Sequence, residues 1–254
     1  MKKLDLSELT GQSFLSHIFQ LESQCKEETI SNISNLGTKV PECYEVLGMT
    51  LALLDCASSC HWGCHTSDHK LEYLIGRVAN SGYSALNLAV RGYYDQSLSI
   101  ARTIGEIANL LSLFQLDNNS LENWKIATEK IRKSEYSAFK VRMKIEELDG
   151  VTPIDQNRYG LLSIYSIHAS PDTLPQAHNA HGQPITFPKY QPAGFITCLN
   201  EISLPIAFST LFSGVLLDYP QEPKQIFMDI SRSLITSIGG IQVTVKGRPW
   251  FKLN

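Results

Sequence analysis

The 254-residue sequence lacks several features that would assign it to a class of protein at once. Its N-terminal segment has no apolar run like that of a secretory signal peptide, because Asp5, Glu8 and Gln12 interrupt it. The longest uncharged apolar stretch, Ile202–Leu217, is shorter than the roughly 20 residues of a membrane-spanning helix, so we expect a buried core helix there. Six cysteines in a chain of this length do not indicate a disulfide scaffold. The sequence therefore predicts a cytoplasmic protein that does not associate with a membrane.

The short motifs that identify common enzyme classes are also missing. The sequence contains no GxxxxGK[ST], GxSxG, HExxH or GxGxxG pattern. A formal net charge of −3 argues against a protein that coats nucleic acid with its whole surface. With 43% hydrophobic residues, the chain is too apolar to be disordered. What remains is an ordinary soluble globular protein.

Apolar residues recur every three or four positions along most of the chain, and no strands alternate with these segments. The pattern predicts an all-α, single-domain bundle over residues 1–254, with roughly seven to nine helices. The expected helices cover 40–61, a start at 66, 67 or 68 through 91, 95–114, 119–133, 135–148, 152–168, 193–219 (with a kink at 205) and 221–238.

Two segments interrupt the helical pattern. Residues 170–192 hold five prolines together with His178 and His181, so we expect a long Pro/His-rich loop. This loop is either a solvated crossover between two helices or a lid or binding loop. Residues 239–254 are expected to form an extended C-terminal tail, either a short strand or a docking arm.

Between Cys56 and His69, three cysteines and three histidines each recur at intervals of four residues. Groups four apart on a helix lie about 5–6 Å from each other, and thiolate and imidazole are preferred zinc ligands. One helix face seldom offers four ligands, so a zinc site would need a second segment. The alternative is that the cysteines are small buried apolar residues and the histidines lie at a helix junction. The candidate zinc ligands are Cys60, Cys64, His65, His69, His178 and His181.

Three polar residues, Arg102, Glu106 and Asn109, share one face of an otherwise apolar predicted helix. Either this face is solvated, or Arg102 and Glu106 form an internal ion pair that organises the bundle or a site. His168, near the end of a later predicted helix, is either a general base or a helix cap. Arg102, Glu106 and His168 are therefore the candidate catalytic residues.

A basic strip lies in the middle of this acidic chain. Such a strip can contact nucleic-acid phosphates, although charge runs on helices are usually solvated faces. The candidate nucleic-acid-binding residues are Lys125, Lys130, Arg132, Lys133, Lys140, Arg142 and Lys144.

Residues 68–114, DHKLEYLIGRVANSGYSALNLAVRGYYDQSLSIARTIGEIANLLSLF, resemble the central helical pair of a bacterial domain family of unknown function that is similar to HEPN-like bundles. Its members share a small-residue helix, a G-[YF]-[YF]-D turn and an Arg-x-x-x-Glu pattern. The segment YGLLSIYSIHASPD resembles a later Ser…His segment of the family. Arg102, Glu106 and His168 match the polar positions of the pattern.

The resemblance implies a homodimeric module found in toxin–antitoxin or phage-defence contexts. HEPN nucleases also share an arginine followed by four to six residues and a histidine, and no arginine here stands in that relation to a histidine. The ribonuclease mechanism therefore does not follow from the resemblance.

Three functions remain open. The first is a HEPN-like, phage-defence or toxin-associated module that binds a protein or nucleic-acid partner. The alternative is a metal-dependent or acid–base hydrolase of RNA or a nucleotide, which should bring His168, the loop histidines and the Cys/His cluster within about 10 Å of one another. The third is a structural subunit of a larger assembly.

Overall fold

The protein is described from a computed structural model, which covers residues 10–63, 68–168, 187–239 and 241, together with the strand residues 244–245 and 248–249. Within this part, the chain forms ten α-helices and one pair of two-residue strands. The all-α prediction is confirmed. The helices are α1 (Gly11–Asn32), α2 (Lys39–Ser58), α3 (Lys70–Val90), α4 (Tyr94–Leu116), α5 (Asn118–Ile126), α6 (Glu129–Glu135), α7 (Ala138–Glu147), α8 (Gln156–Ser166), α9 (Pro192–Leu216) and α10 (Gln221–Ile238).

Helix α9 is the centre of the bundle. It packs against α2, α3, α4 and α10, and most of its side chains are buried. By length and composition α9 is also the one described helix that could cross a membrane, but 78% of its most apolar window is buried inside the protein. The expected core helix over this stretch is therefore present, and it continues through Pro205 as one helix.

Helices α3 and α4 form an antiparallel hairpin whose turn includes the GYYD segment. Gly92 has φ +85°, and a Cβ there would lie 2.8 Å from the Lys189 backbone nitrogen, so both the conformation and the space require glycine. The Tyr93 hydroxyl donates to Glu22 of α1 at 2.8 Å, and Arg91 donates to the same carboxylate at 3.2 Å. The turn thus fastens α1 to the bundle.

The next residue, Tyr94, fastens the segment that precedes α9. Its buried hydroxyl donates to the Lys189 carbonyl at 3.2 Å and accepts from the Gln191 N–H at 2.9 Å. The Cys198 thiol donates to the Tyr94 carbonyl at 3.5 Å. Burial raises the pKa of Tyr94, so its hydroxyl remains protonated and can make both hydrogen bonds.

Several helix boundaries differ from the prediction. The expected single helix over 119–133 is two helices, because Ala127 and Thr128 are extended and Thr128 caps α6 by accepting from the Ile131 N–H at 3.3 Å. Asp117, not Asn119, caps α5. Helix α1 was not predicted; it begins at a capping box between Thr10 and Ser13, in a stretch with a weak apolar pattern.

Other helix ends also differ from the predicted ones. Helix α3 starts only at Lys70, after His69 in a left-handed conformation. Helix α8 ends at Ser166, so it does not reach His168. Asp95 lies in the first turn of α4 and does not cap it. Of the predicted loop, residues 187–191 are described and Pro192 already begins α9.

The predicted C-terminal tail contains a short antiparallel strand pair, Thr244–Val245 with Arg248–Pro249.

Candidate functional site

A cluster of charged and aromatic side chains lies where α4, α7 and α8 meet. On α4, Arg102 and Glu106 are one turn apart and form an ion pair with 3.3 Å between Nη2 and Oε1. Tyr159 of α8 joins this pair, since its hydroxyl accepts from Arg102 Nη2 and donates to Glu106 Oε1 at 3.1 Å. Of the two alternatives for this face, the structure has the ion pair, although it is partly exposed, and a tyrosine from another helix fixes it.

Arg142 of α7 completes the cluster. Its Cζ lies 4.5 Å from the centre of the Tyr159 ring, and the Cζ of Arg102 lies 4.2 Å from the same centre. Arg142 Nη2 donates to Gln156 Oε1 at 2.5 Å, which holds α7 against the start of α8. We call Arg102, Glu106, Arg142 and Tyr159 the arginine–tyrosine cluster.

Two N–H donors of the arginine–tyrosine cluster are buried. Arg102 Nε and Arg142 Nη1 make no hydrogen bond within the described part of the chain. A buried donor without an acceptor is costly, and an incoming anion would supply one. Burial lowers the pKa of Arg142, while Tyr159 and Glu106 act in the opposite direction. Arg142 remains a cation at neutral pH because its ordinary pKa is very high.

The arginine–tyrosine cluster is accessible from one side. The side chains of Arg102 and Glu106 are 20% and 37% exposed, whereas Arg142 is only 4% exposed. A ligand would therefore meet Arg102 and Glu106 first and Arg142 behind them.

His168 is an exposed residue two positions beyond the end of α8. The same end of α8 is fixed to α4 by a hydrogen bond of 2.7 Å from Ser99 Oγ to the Ser166 carbonyl. Ser99 lies one turn before Arg102. His168 thus belongs to the α4–α8 side of the protein that carries the other two candidate catalytic residues.

A groove of 580 Å³ runs along the neighbouring surface between α3 and α4. Its α3 wall includes the exposed residues Tyr73, Arg77 and Asn80. Thr103, the residue after Arg102, lines the α4 wall. Glu72 lines the end of the groove nearest the start of α3.

At that end, the structure brings together two of the predicted zinc ligands. Cys60 Sγ lies 3.7 Å from His69 Nδ1, and Glu72 Oε1 lies 3.8 Å from the same nitrogen. The ligand atoms of the three residues all lie within 4.8 Å of one another. The other predicted ligands, Cys64, His65, His178 and His181, lie outside the described residues.

This Cys/His/Glu cluster and His168 are far apart. Ser97, near the start of α4, donates to the Ala85 carbonyl at 2.9 Å. The N-terminal end of α4, which also contacts the end of α8 through Ser99, therefore lies beside the C-terminal part of α3. Lys70 and Ala85 are separated along α3 by about 22 Å, at about 1.5 Å per residue. The described histidines His69 and His168 therefore do not share one pocket, contrary to the arrangement expected for the hydrolase.

The residues of the predicted basic strip are divided over α5, α6 and α7. Arg142 is buried in the arginine–tyrosine cluster, so it does not belong to an exposed strip. Among the other strip residues, Lys130, Arg132 and Lys140 are exposed. The remaining lysines pair with glutamates: Lys125 with Glu122 at 3.0 Å, Lys133 with Glu129 at 2.6 Å and Lys144 with Glu135 at 3.9 Å.

Sequence reasoning missed two members of these sites. Tyr159 carries no motif of its own, although it lies four residues before Ser163 in the segment that resembles the bacterial family. Glu72 lies on the buried face of α3, and a carboxylate at an apolar position of a helix is a signal for a buried site.

Comparisons with protein-family models, with curated proteins and with solved structures found no match for this chain.

Proposed function

We propose that this chain is a HEPN-like helical module that binds single-stranded RNA, with the arginine–tyrosine cluster contacting a phosphate. One observation carries the proposal: two guanidinium groups lie on the same tyrosine ring, and each keeps a buried N–H that makes no hydrogen bond in the described structure. A guanidinium matches the geometry of phosphate oxygens with its planar fork of donors. Stacking on Tyr159 holds both forks in place before a ligand arrives.

Glu106 would make the arginine–tyrosine cluster bind RNA more tightly than DNA. The Tyr159 hydroxyl fixes one carboxylate oxygen, and the side chain is 37% exposed beside Arg102. A carboxylate next to a phosphate-binding arginine can accept a hydrogen bond from a ribose 2′-hydroxyl. The same carboxylate repels the phosphates of either kind of strand, and DNA has no 2′-hydroxyl to offset this repulsion.

The groove between α3 and α4 suits the neighbouring nucleotides of a single strand. Tyr73 is 70% exposed and offers a face on which a base can stack. Arg77 and Asn80 follow it on the same wall with a cation and an amide. Because Thr103 lines the groove directly after Arg102, a strand bound at the cluster can continue along the groove.

The resemblance of residues 68–114 to HEPN-like domains supports the cellular setting of the proposal. By that resemblance, the module would be a homodimer that acts in the cytoplasm in phage defence or beside a toxin. Sedimentation of the purified protein measures the dimer directly.

RNA binding is tested by fluorescence anisotropy with labelled RNA and DNA 12-mers of one sequence. We expect Arg102→Gln to weaken RNA binding at least about tenfold, because it removes a charge-assisted contact. The slope of log affinity against log salt should fall by about 0.7, as for one lost phosphate contact on a single strand. Arg232→Gln is the matched control, since Arg232 is 70% exposed on α10.

Glu106→Ala provides a second readout. We expect DNA affinity to rise and the RNA-to-DNA preference to fall, because the 2′-hydroxyl acceptor and the repulsive charge are both removed. The proposal is wrong if the wild type binds neither strand, or if Arg102→Gln and Arg232→Gln have equal effects. Far-UV circular dichroism of each variant checks that the fold is intact.

The acid–base hydrolase of RNA is a second candidate at the same site. It is favoured by the exposed Glu106 carboxylate beside two cations, which are a base and a charge stabiliser for phosphate-ester cleavage. Incubation of labelled RNA with the protein separates the two functions. Cleavage that Glu106→Gln abolishes without loss of binding supports the hydrolase, whereas intact RNA supports the binding module.

A further inference from the structure

The second cluster, at the junction of α2 and α3, is independent of the RNA proposal. From its geometry we infer that Cys60 Sγ, His69 Nδ1 and the Glu72 carboxylate together bind a zinc ion.

The distances between the ligand atoms fit a shared zinc ion. Zinc binds thiolate at about 2.3 Å and imidazole nitrogen or carboxylate oxygen at about 2.0 Å. Tetrahedral angles then place S and N about 3.5 Å apart and N and O about 3.3 Å apart. The structure has 3.7 Å between Cys60 Sγ and His69 Nδ1, and 3.8 Å between His69 Nδ1 and Glu72 Oε1. Both distances are within about 0.5 Å of the values for a shared zinc ion.

The backbone conformations of Cys60 and His69 also support a zinc site. Cys60 and His69 both adopt left-handed conformations, with φ values of 55° and 49°. Histidine adopts this region more often than most residues, but cysteine rarely does, and strain of the kind seen at Cys60 clusters at ligand-binding positions. Here the two left-handed residues turn the end of α2 and the start of α3 so that their side chains meet Glu72.

The charges balance when zinc is present. A thiolate and a carboxylate carry two negative charges, which one Zn²⁺ neutralises, while the histidine ligates as a neutral imidazole. Glu72 is 2% exposed, and a neutral metal complex is less costly to bury than a charged one. Binding forms the Zn–S bond and releases the thiol proton of Cys60 to solvent, so affinity should fall as the pH is lowered.

An aromatic wall holds the cysteine side of the site. The ring of Trp62, two residues after Cys60, lies 5.5 Å from that of Tyr219 and 6.0 Å from that of Phe227. The Tyr219 hydroxyl donates to the Ala57 carbonyl at 3.2 Å, which ties the end of α2 to the α9–α10 connection. These contacts fix Cys60 from one side, and zinc would fix it to α3 from the other.

Cys60, His69 and Glu72 are the three ligands that the described part of the chain supplies, so within that part the fourth tetrahedral position is open to water. Glu72 also lines the α3–α4 groove, so the site lies at one end of that groove.

The test uses untagged full-length protein, stripped with a chelator and titrated with Co²⁺ and then Zn²⁺. We expect one equivalent to bind, with a thiolate-to-cobalt charge-transfer band in the near ultraviolet. Cys60→Ser should abolish the band, and His69→Ala and Glu72→Gln should each weaken binding at least about tenfold. Two residues of the same segment give matched controls: Cys56→Ser and His61→Ala should bind as the wild type does.

X-ray absorption at the zinc edge tests the wild type without any variant. One sulfur and the remainder nitrogen and oxygen ligands support the site. Absence of stoichiometric binding, two or more sulfur ligands, or a cobalt band that survives Cys60→Ser overturns it. Loss of RNA binding in Arg102→Gln with zinc binding intact would keep the two proposals distinct.

Discussion

Arg158 and Glu201 form a two-hydrogen-bond ion pair in the core of the bundle. Arg158 Nε donates to Glu201 Oε2 at 2.7 Å, and Nη2 donates to Oε1 at 2.8 Å. Glu201 is fully buried in the middle of α9, and Arg158 is 7% exposed at the start of α8. Arg158 also donates to Asn200 at 3.1 Å. This ion pair thus connects α8 to the central helix α9.

Removal of one partner of this pair should be strongly destabilising. We expect Arg158→Met or Glu201→Leu alone to lower the free energy of unfolding by about 3–5 kcal/mol, because each leaves a buried charge uncompensated. The double variant should lose much less than the sum of the two. Urea unfolding followed by circular dichroism measures all three, with the exposed Arg232→Met as control. Additive losses would contradict a coupled pair.

The sequence predicts some of these arrangements because their partners are local. Arg102 and Glu106 are four residues apart on one helix, which suffices to predict their ion pair. Buried helix α9 follows from its apolar composition alone. By contrast, Arg158 and Glu201 are 43 residues apart in sequence, and they meet because α8 and α9 both pack against α4.

The same reason explains which site residues were missed. Tyr159 meets Arg102 and Arg142 because three helices converge, and no spacing within a single helix encodes that convergence. In the Cys/His segment, Cys60 and His69 are among the predicted zinc ligands, but their spacing of nine residues does not by itself place them together. The left-handed turn at Cys60 breaks the helical periodicity, so Cys60 and not Cys56 meets His69.

A second prediction concerns the turn between α3 and α4. Gly92→Ala should destabilise the protein by more than about 1 kcal/mol, because alanine is strained at φ +85° and its Cβ would lie within 3 Å of Cys25 and Lys189. Gly48→Ala in α2 is the matched control. A Cβ at Gly48 meets nothing within 4 Å, so we expect a gain of about 0.5–1 kcal/mol from helix propensity. Thermal unfolding of both variants gives the comparison, and equal shifts would refute the role of the turn.

A third prediction concerns Asn109, which is 1% exposed on α4. Its amide donates to the Ile154 carbonyl at 2.9 Å, and its carbonyl accepts from the Ile154 N–H at 3.0 Å. Asn109→Ala leaves both backbone groups without this partner, so we expect a loss of about 2–4 kcal/mol in the free energy of unfolding. The exposed Asn123→Ala should change stability by less than about 0.5 kcal/mol. A loss below 1 kcal/mol for Asn109→Ala would show that the segment around Ile154 does not depend on this side chain for its position.

The last prediction concerns stability at high pH. Cys25 is 3% exposed beside the Gly92 turn, and burial raises the pKa of its thiol from 9.0 to about 11. Above pH 9 the unfolded chain releases this proton while the folded chain retains it. Stability should therefore be complete below pH 9 and fall as the pH rises towards 11. Between pH 8 and pH 10.5 the thiol should account for a loss of about 2 kcal/mol.

Variants of Cys25 separate this titration from other groups that ionise at high pH. Tyr93, whose pKa is raised to about 12 mainly by burial and its hydrogen bond to Glu22, is present in every variant, and Cys25 is only the last-named contributor to that shift. Cys25→Ser and Cys25→Ala should differ in stability at pH 8, because serine and alanine pack differently. Both should nevertheless lose about 2 kcal/mol less than the wild type on going to pH 10.5. Urea unfolding in the presence of a reductant measures the change, and an equal loss in all three proteins would show that the Cys25 thiol does not titrate as its burial requires.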